Sequence, residues 1–196
     1  VKREARLKIL ALLVAFLAGS LTLIALLLFV TPHEVTRPSS VGGPFTLIDQ
    51  GGKTITDADF KGKPFLVFFG FTHCPDVCPT TLYEISEVLK QLGPDASKTA
   101  ALFITVDPER DTPEELKRYI SSFHQGIVGL TGSQTAIDAV KREYRVFAKK
   151  VPTKDGDYTM DHTAVVFLMD KQGNFIAPFN LSRSAAEAAA DLRRRF

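Results

Sequence analysis

The chain has no tryptophan, only two cysteines, and no excess of either charge over most of its length. Lys2, Arg3, Arg6 and Lys8 stand against Glu4, and beyond residue 8 the 20 basic and 21 acidic residues nearly cancel. With no basic field and no basic patch interleaved with aromatics, nucleic acid is excluded as a partner. Two cysteines in one cluster are too few for a disulfide framework, since closing so short a loop removes little chain entropy. No second pair exists to complete a four-thiolate zinc site. Repeats and low-complexity stretches are absent as well. What is there is apolar bulk: 196 residues, 45% hydrophobic, with fifteen Phe. That suffices for one domain with a real core plus an appendage.

The chain is organised around residues 65–82, FLVFFGFTHCPDVCPTTL. Phe65–Phe69 has the length and composition of a buried strand, and Gly70 ends it. The loop that follows carries both cysteines and opens into a helix from about Pro79, a residue suited to a first turn. Cys74 and Cys78 are four apart, so in at least nascent helix their Cβ atoms lie ~5–6 Å from each other. That reach permits a disulfide or a shared metal ion. The helix N-terminus favours thiolate over thiol at both sulfurs, the form that binds metal or attacks a disulfide. The bland alternative is a pair of buried, inert thiols.

Ile9–Val30 runs without a charge. As a helix it covers ~30 Å, the thickness of a bilayer core, and it exceeds the ~7–15 apolar residues of a cleavable signal peptide. The expectation is a basic cytoplasmic end over 1–8, a transmembrane anchor over 9–30 and a linker over 31–42 that holds His33. The domain of residues 43–196 then lies outside the cytoplasm, which in a bacterium is the oxidising periplasm.

Within that domain, strands are expected at 45–49, 53–56, 65–69, 100–106, 127–130, 146–151, 158–160, 163–169 and 174–179. Helices are expected at 79–92, 113–123, 133–144 and from Ser182 or Ser184 to Arg193–Arg195. Thr112 with Glu115 reads as a capping box before Pro113. Strands alternating with helices predict an α/β sheet covered on both faces. The loops holding Cys74–Cys78 and Asp107–Asp111 both follow apolar strands, so they should share one sheet edge.

Taken together, GFTHCPDVCPTTL, TVDPERDTPE and DHTAVVFLMD resemble the Sco/SenC family of membrane-anchored, thioredoxin-like proteins that assemble the copper centre of cytochrome c oxidase. The resemblance covers nearly all of residues 43–192. It implies a thioredoxin-like (peroxiredoxin-like) central mixed sheet flanked by helices, and copper as the bound metal. It implies metal ligands at Cys74, Cys78 and His162, a set of two soft thiolates and one imidazole that suits Cu(I) and can hold Cu(II). The implied partners are the oxidase's copper-binding subunit and an upstream copper donor, at the bacterial inner membrane. In thioredoxin-like folds a cis-proline usually opens the strand facing the cysteines, and here His162 is matched to that position.

Other residues have plainer readings. His73 should point off the thiol face, and His124 and His33 read as surface. Asp76 could cap the Pro79 helix. Asp107 and Asp111 match the family's acidic loop and read either as a charged rim beside the metal or as helix capping with a pairing to Arg110. Two rival functions remain. The same cysteines could form the redox-active pair of a thiol–disulfide reductase that keeps the oxidase's copper-ligand cysteines reduced. Val77-Cys78-Pro79-Thr80 also looks like a peroxiredoxin loop, although Pro75 stands where that family has Thr.

Overall fold

The structure, a computed structural model, describes residues 2–29 and 41–196. The chain divides into two units, 1–37 and 38–196. In the first, α1 (Lys2–Phe29) is a continuous helix that takes in the basic end. Large apolar side chains from Leu12 to Ile24 stand exposed along it. Ser20 and Thr22 turn their hydroxyls inward, donating to the carbonyls of Phe16 (2.9 Å) and Ala18 (2.8 Å). Side chains are described without a break only from Ala11 to Ile24, and over the described residues no helix is long and apolar enough to cross a membrane. Of the linker expected over 31–42, only Val41 and Gly42 fall among the described residues; His33 lies outside them.

The second unit is built on a mixed sheet. Its parallel centre consists of β3 (Phe65–Gly70), β4 (Ala100–Thr105) and β5 (Ile127–Thr131). On the β5 side lie β1 (Thr46–Asp49) and β2 (Thr54–Thr56); on the β3 side lie β8 (Val166–Met169) and β9 (Phe175–Pro178), both additions antiparallel. The strand order is β2-β1-β5-β4-β3-β8-β9. Every residue of β3 and β4 is buried, as near-continuous apolar runs require when both faces are covered. Because side chains alternate, Phe68 meets Phe103 on one face (ring centroids 6.1 Å apart) while Phe69 meets Tyr144 and Phe167 on the other (5.4 and 6.2 Å). Each such buried ring contributes about 1.5–3 kcal/mol.

The helices are α2 (Val77–Leu92), α3 (Pro113–Ile120), α4 (Gln134–Glu143) and α5 (Ala185–Arg193). Strands and helices fall close to their expected places, with instructive differences. Only half of the capping box at α3 forms: Thr112 accepts from the Glu115 amide, while the Glu115 carboxylate pairs with Arg118. Ser184, not Ser182, caps α5, with its box completed by Glu187. The strand expected over 163–169 begins only at Val166. Residues 163–165 lie in no strand, and those before them form a separate antiparallel hairpin, β6 (Ala148–Pro152) and β7 (Tyr158–His162), which joins no other strand among the described residues. His162 therefore closes β7, opposite Ala148, rather than opening β8. The described residues contain no cis peptide bond.

Candidate metal centre

The register of β3 and β4 fixes the site's floor. Gly70 pairs with Thr105 at the carboxyl ends of the two strands, and the cysteine and aspartate loops leave side by side, as their positions after apolar strands imply. Gly70 does more than end a strand. A Cβ there would meet Phe103 at 2.6 Å and Cys78 Sγ at 2.8 Å, so only glycine leaves room for the sulfur.

From Gly70 the chain passes over Thr72 to Cys74 and enters α2. The helix begins at Val77, two residues ahead of Pro79, whose missing N–H still falls among the orphan donors of the first turn. Asp76 is the N-cap residue, yet its side chain makes no capping bond, which corrects the expectation. Cys74 supplies an acceptor instead: the Cys78 amide donates to Cys74 Sγ at 3.4 Å.

The hairpin brings the third side chain. His162 Nε2 lies 3.6 Å from Cys78 Sγ, and its ring stands edge-on to Phe71 and Phe68 (centroids 5.7 and 6.4 Å). Nδ1 donates to the Thr163 carbonyl at 3.1 Å, which leaves the Nε2 lone pair facing the sulfur. Ligand atoms of Cys74, Cys78 and His162 all lie within 4.8 Å of one another, and no fourth Cys, His, Asp or Glu joins them among the described residues. Bonds of ~2.0–2.3 Å, as metals make to imidazole and thiolate, fit a triangle of that size. Cys74 and His162 line a cavity of about 280 Å³ with Phe71, Pro75, Val77 and Met160. A larger hollow of about 570 Å³ beside Asp59, Lys63 and His124 lacks any such cluster.

Both cysteines are free and buried. Burial pushes the Cys78 thiol well up, against a backbone hydrogen bond from Phe71 that favours the thiolate. The expectation that the helix N-terminus activates both sulfurs thus fails for Cys78, because desolvation outweighs the dipole.

Asp107 and Asp111 do not form a solvent-facing rim. Both are buried. Asp111 accepts from the Thr72 amide (3.1 Å), the Thr72 hydroxyl (2.6 Å) and the Thr105 hydroxyl (2.6 Å), so it ties the cysteine loop to the end of β4. Burial raises its carboxyl pKa, and the Thr105 and Thr72 donors oppose that shift. Asp107 accepts from Arg110 Nε (2.5 Å) and from the Tyr158 hydroxyl (2.9 Å), which ties the same loop to the hairpin. The pairing with Arg110 is as expected; capping is done by Thr112 alone. His73 is exposed and turned to Thr72, outside the sulfur cluster. His124 differs from its surface reading: it is half-buried, and its Nδ1 accepts from the Gly126 amide at 3.0 Å.

The comparisons agree with this geometry. The family model described as SCO1/SenC matches residues 33–196. The chain belongs to that family. A relative, the mitochondrial SCO2 homolog of Bos taurus, is 42% identical over 165 residues, covering 82% of this chain and 62% of the relative. Only 42% of the Arabidopsis thaliana SCO1 homolog 1 is covered, at 40% identity. Among solved SCO1/SenC structures, Bradyrhizobium japonicum ScoI with copper bound is 62% identical with a TM-score of 0.78, over 80% of this chain and 99% of that one. Yeast Sco1 with copper bound is 35% identical with a TM-score of 0.72, over 80% and 88%. The mixed sheet flanked by helices is thus the SCO1/SenC architecture. Thr72 and the anchoring role of Tyr158 escaped the sequence reading, as did the room that Gly70 leaves for the sulfur, although the DYTMDH segment placed Tyr158 beside a residue already singled out.

Proposed function

We propose that this chain is a membrane-anchored copper metallochaperone that carries one copper ion on Cys74, Cys78 and His162 and assists assembly of the copper centre of cytochrome c oxidase. The observation that carries the reading is the convergence of those three donors within 4.8 Å, although Cys78 and His162 lie 84 positions apart in the chain. Two thiolates and an imidazole form a soft set that holds Cu(I) and accommodates Cu(II). Three donors leave one side of the ion uncovered by protein, the side from which a recipient can displace it. Loading removes the Cys78 proton, so uptake releases acid. Copper is cargo here.

The Bradyrhizobium and yeast structures, each with copper bound, support the same metal. For the anchor, support comes from the uncharged run Ile9–Val30, the exposed apolar side chains of α1 and the inward-bonded hydroxyls of Ser20 and Thr22. The basic residues 2–8 orient it with the N-terminus in the cytoplasm and the copper domain in the periplasm of a bacterium. The recipient is the oxidase's copper-binding subunit, and an upstream donor supplies the ion. The thiol–disulfide reductase alternative needs an accessible, ionised sulfur, and the buried Cys78 thiol weighs against it.

Incubating the copper-loaded chain with a metal-free oxidase fragment whose thiols are already reduced separates the two. Delivery predicts transfer of the ion to the fragment. No transfer to the reduced fragment, with the metal-free dithiol chain instead opening the disulfide of an oxidised fragment as Cys74 and Cys78 close into their own, would support the reductase role instead.

A further inference from the structure

His162 stands on a hairpin that belongs to no larger sheet, so something other than strand pairing must aim it. Tyr158, Met160 and His162 share one face of β7, by the two-residue alternation of a strand. Tyr158 is the anchored end of that row. Its hydroxyl donates to Asp107 at 2.9 Å, and its carbonyl accepts from Arg110 Nη1 at 2.9 Å. The Arg110 guanidinium lies over the Tyr158 ring at 3.8 Å, while the Lys150 ammonium lies 4.5 Å from the same ring. Arg110 is itself held by Asp107 at 2.5 Å and reaches Asp157 in the hairpin turn at 3.4 Å. Lys150, on the partner strand, pairs with Glu109 at 2.5 Å. Apart from Lys150 over the Tyr158 ring and Arg110 on Asp107, which brace the hairpin and the loop internally, these contacts join the hairpin to the loop after β4, whose other aspartate, Asp111, already holds the cysteine loop through Thr72.

We propose that Arg110 and Tyr158 are positioning residues that latch the β6–β7 hairpin onto the Asp107–Asp111 loop and thereby hold the His162 imidazole against Cys78. The loop is the common reference for both halves of the site: Asp111 fixes the cysteine side and Asp107 with Arg110 fixes the histidine side. Opening the latch swings His162 away and leaves the two sulfurs where they are. The inference rests on the copper reading of the site.

The test uses the full chain in detergent, with Arg110→Gln, Tyr158→Phe and Tyr158→Ala, each alone and combined with His162→Ala. Cu(I) itself is the probe, titrated under reductant against a chromogenic Cu(I) chelator. Outer residues that orient a metal-binding histidine typically govern about 10–100-fold in affinity, so Arg110→Gln and Tyr158→Ala should each weaken binding by about 10-fold. Tyr158→Phe keeps the stacked ring and should lose less. On the His162→Ala background the same substitutions should change nothing further. Undiminished affinity in the single variants, or an equal further loss without the imidazole, would overturn the latch. A second readout needs no copper: the nuclear Overhauser contact between the His162 and Phe71 rings, present in the metal-free parent, should vanish in Tyr158→Ala and weaken in Arg110→Gln. Its persistence in both also overturns the proposal. A parent that takes up no copper strikes the metal reading instead, and the ring contact then decides the latch by itself.

Discussion

Asp111 shows how much one side chain carries at the residue scale. Its buried carboxylate is the acceptor for three donors, two of them on Thr72 at the entrance to the cysteine loop. Asp111→Ala takes the acceptor from the buried Thr105 hydroxyl and from the two partly buried Thr72 donors and should cost about 3 kcal/mol of stability, since each unsatisfied buried group costs about 1–3 kcal/mol. Asp111→Asn keeps an acceptor and should cost about 1 kcal/mol. Chemical denaturation measures both; equal losses in the two variants would contradict the assignment. The pair of cysteines was legible in the sequence as a cluster fit for a disulfide or a metal, and His162 was legible only through the resemblance of the DHTAVVFLMD block to the Sco/SenC family. The burial of Asp107 and Asp111 was not. A carboxylate in a DPERD stretch reads as solvated, and the partners that make its burial tolerable, Thr72 and Tyr158, lie 39 and 51 positions away. The Cys78 thiol is a similar case: its place at a helix start was legible, but its complete burial, which pushes the thiol up, was not.

Among elements, the β6–β7 hairpin is where sequence and structure part. Thr163–Met169 reads as one apolar strand, and nothing local marks the break that assigns His162 to β7 and starts β8 at Val166. The difference matters because a residue inside the seven-stranded sheet is fixed by its neighbours, whereas the hairpin depends on its latch and on the His162 ring against Phe71. A ligand bond from His162 adds a further tie. Amide exchange over residues 148–162 should therefore slow when copper is bound, with little change in β3 and β4. Unchanged exchange in the hairpin on loading would count against His162 as a ligand. The central strands behaved as their sequence implies: β3 and β4 are uniformly apolar and wholly buried, and their parallel register brings the two working loops to one edge.

For the whole molecule, α5 closes the domain against α2, and its end is held by charge. Asp191 pairs with Arg183 (2.8 Å), Arg194 (2.8 Å) and Arg195 (3.5 Å). Burial opposes its ionisation, but hydrogen bonding to Arg183 and the charges of Arg195 and Arg183 prevail and hold the carboxyl below the ordinary range. A depressed folded-state pKa stabilises above the unfolded value of ~3.9 and loses that contribution as pH falls through the folded value. Asp191→Asn should thus lower Tm by about 2–4 °C at neutral pH, for a loss of about 1 kcal/mol. The gap should begin to narrow as pH falls below ~4 and close only below the depressed folded-state value, where the parent carboxyl is neutral too. A gap that widens on acidification would contradict the sign. None of this bears on what the molecule carries, and that claim has its own direct measurement. Titrating the reduced full chain and its Cys74→Ser, Cys78→Ser and His162→Ala variants with Cu(I) should give one ion per parent chain, weaker binding without the imidazole, and none once either sulfur is gone. Equal affinity in all four proteins would contradict the copper site.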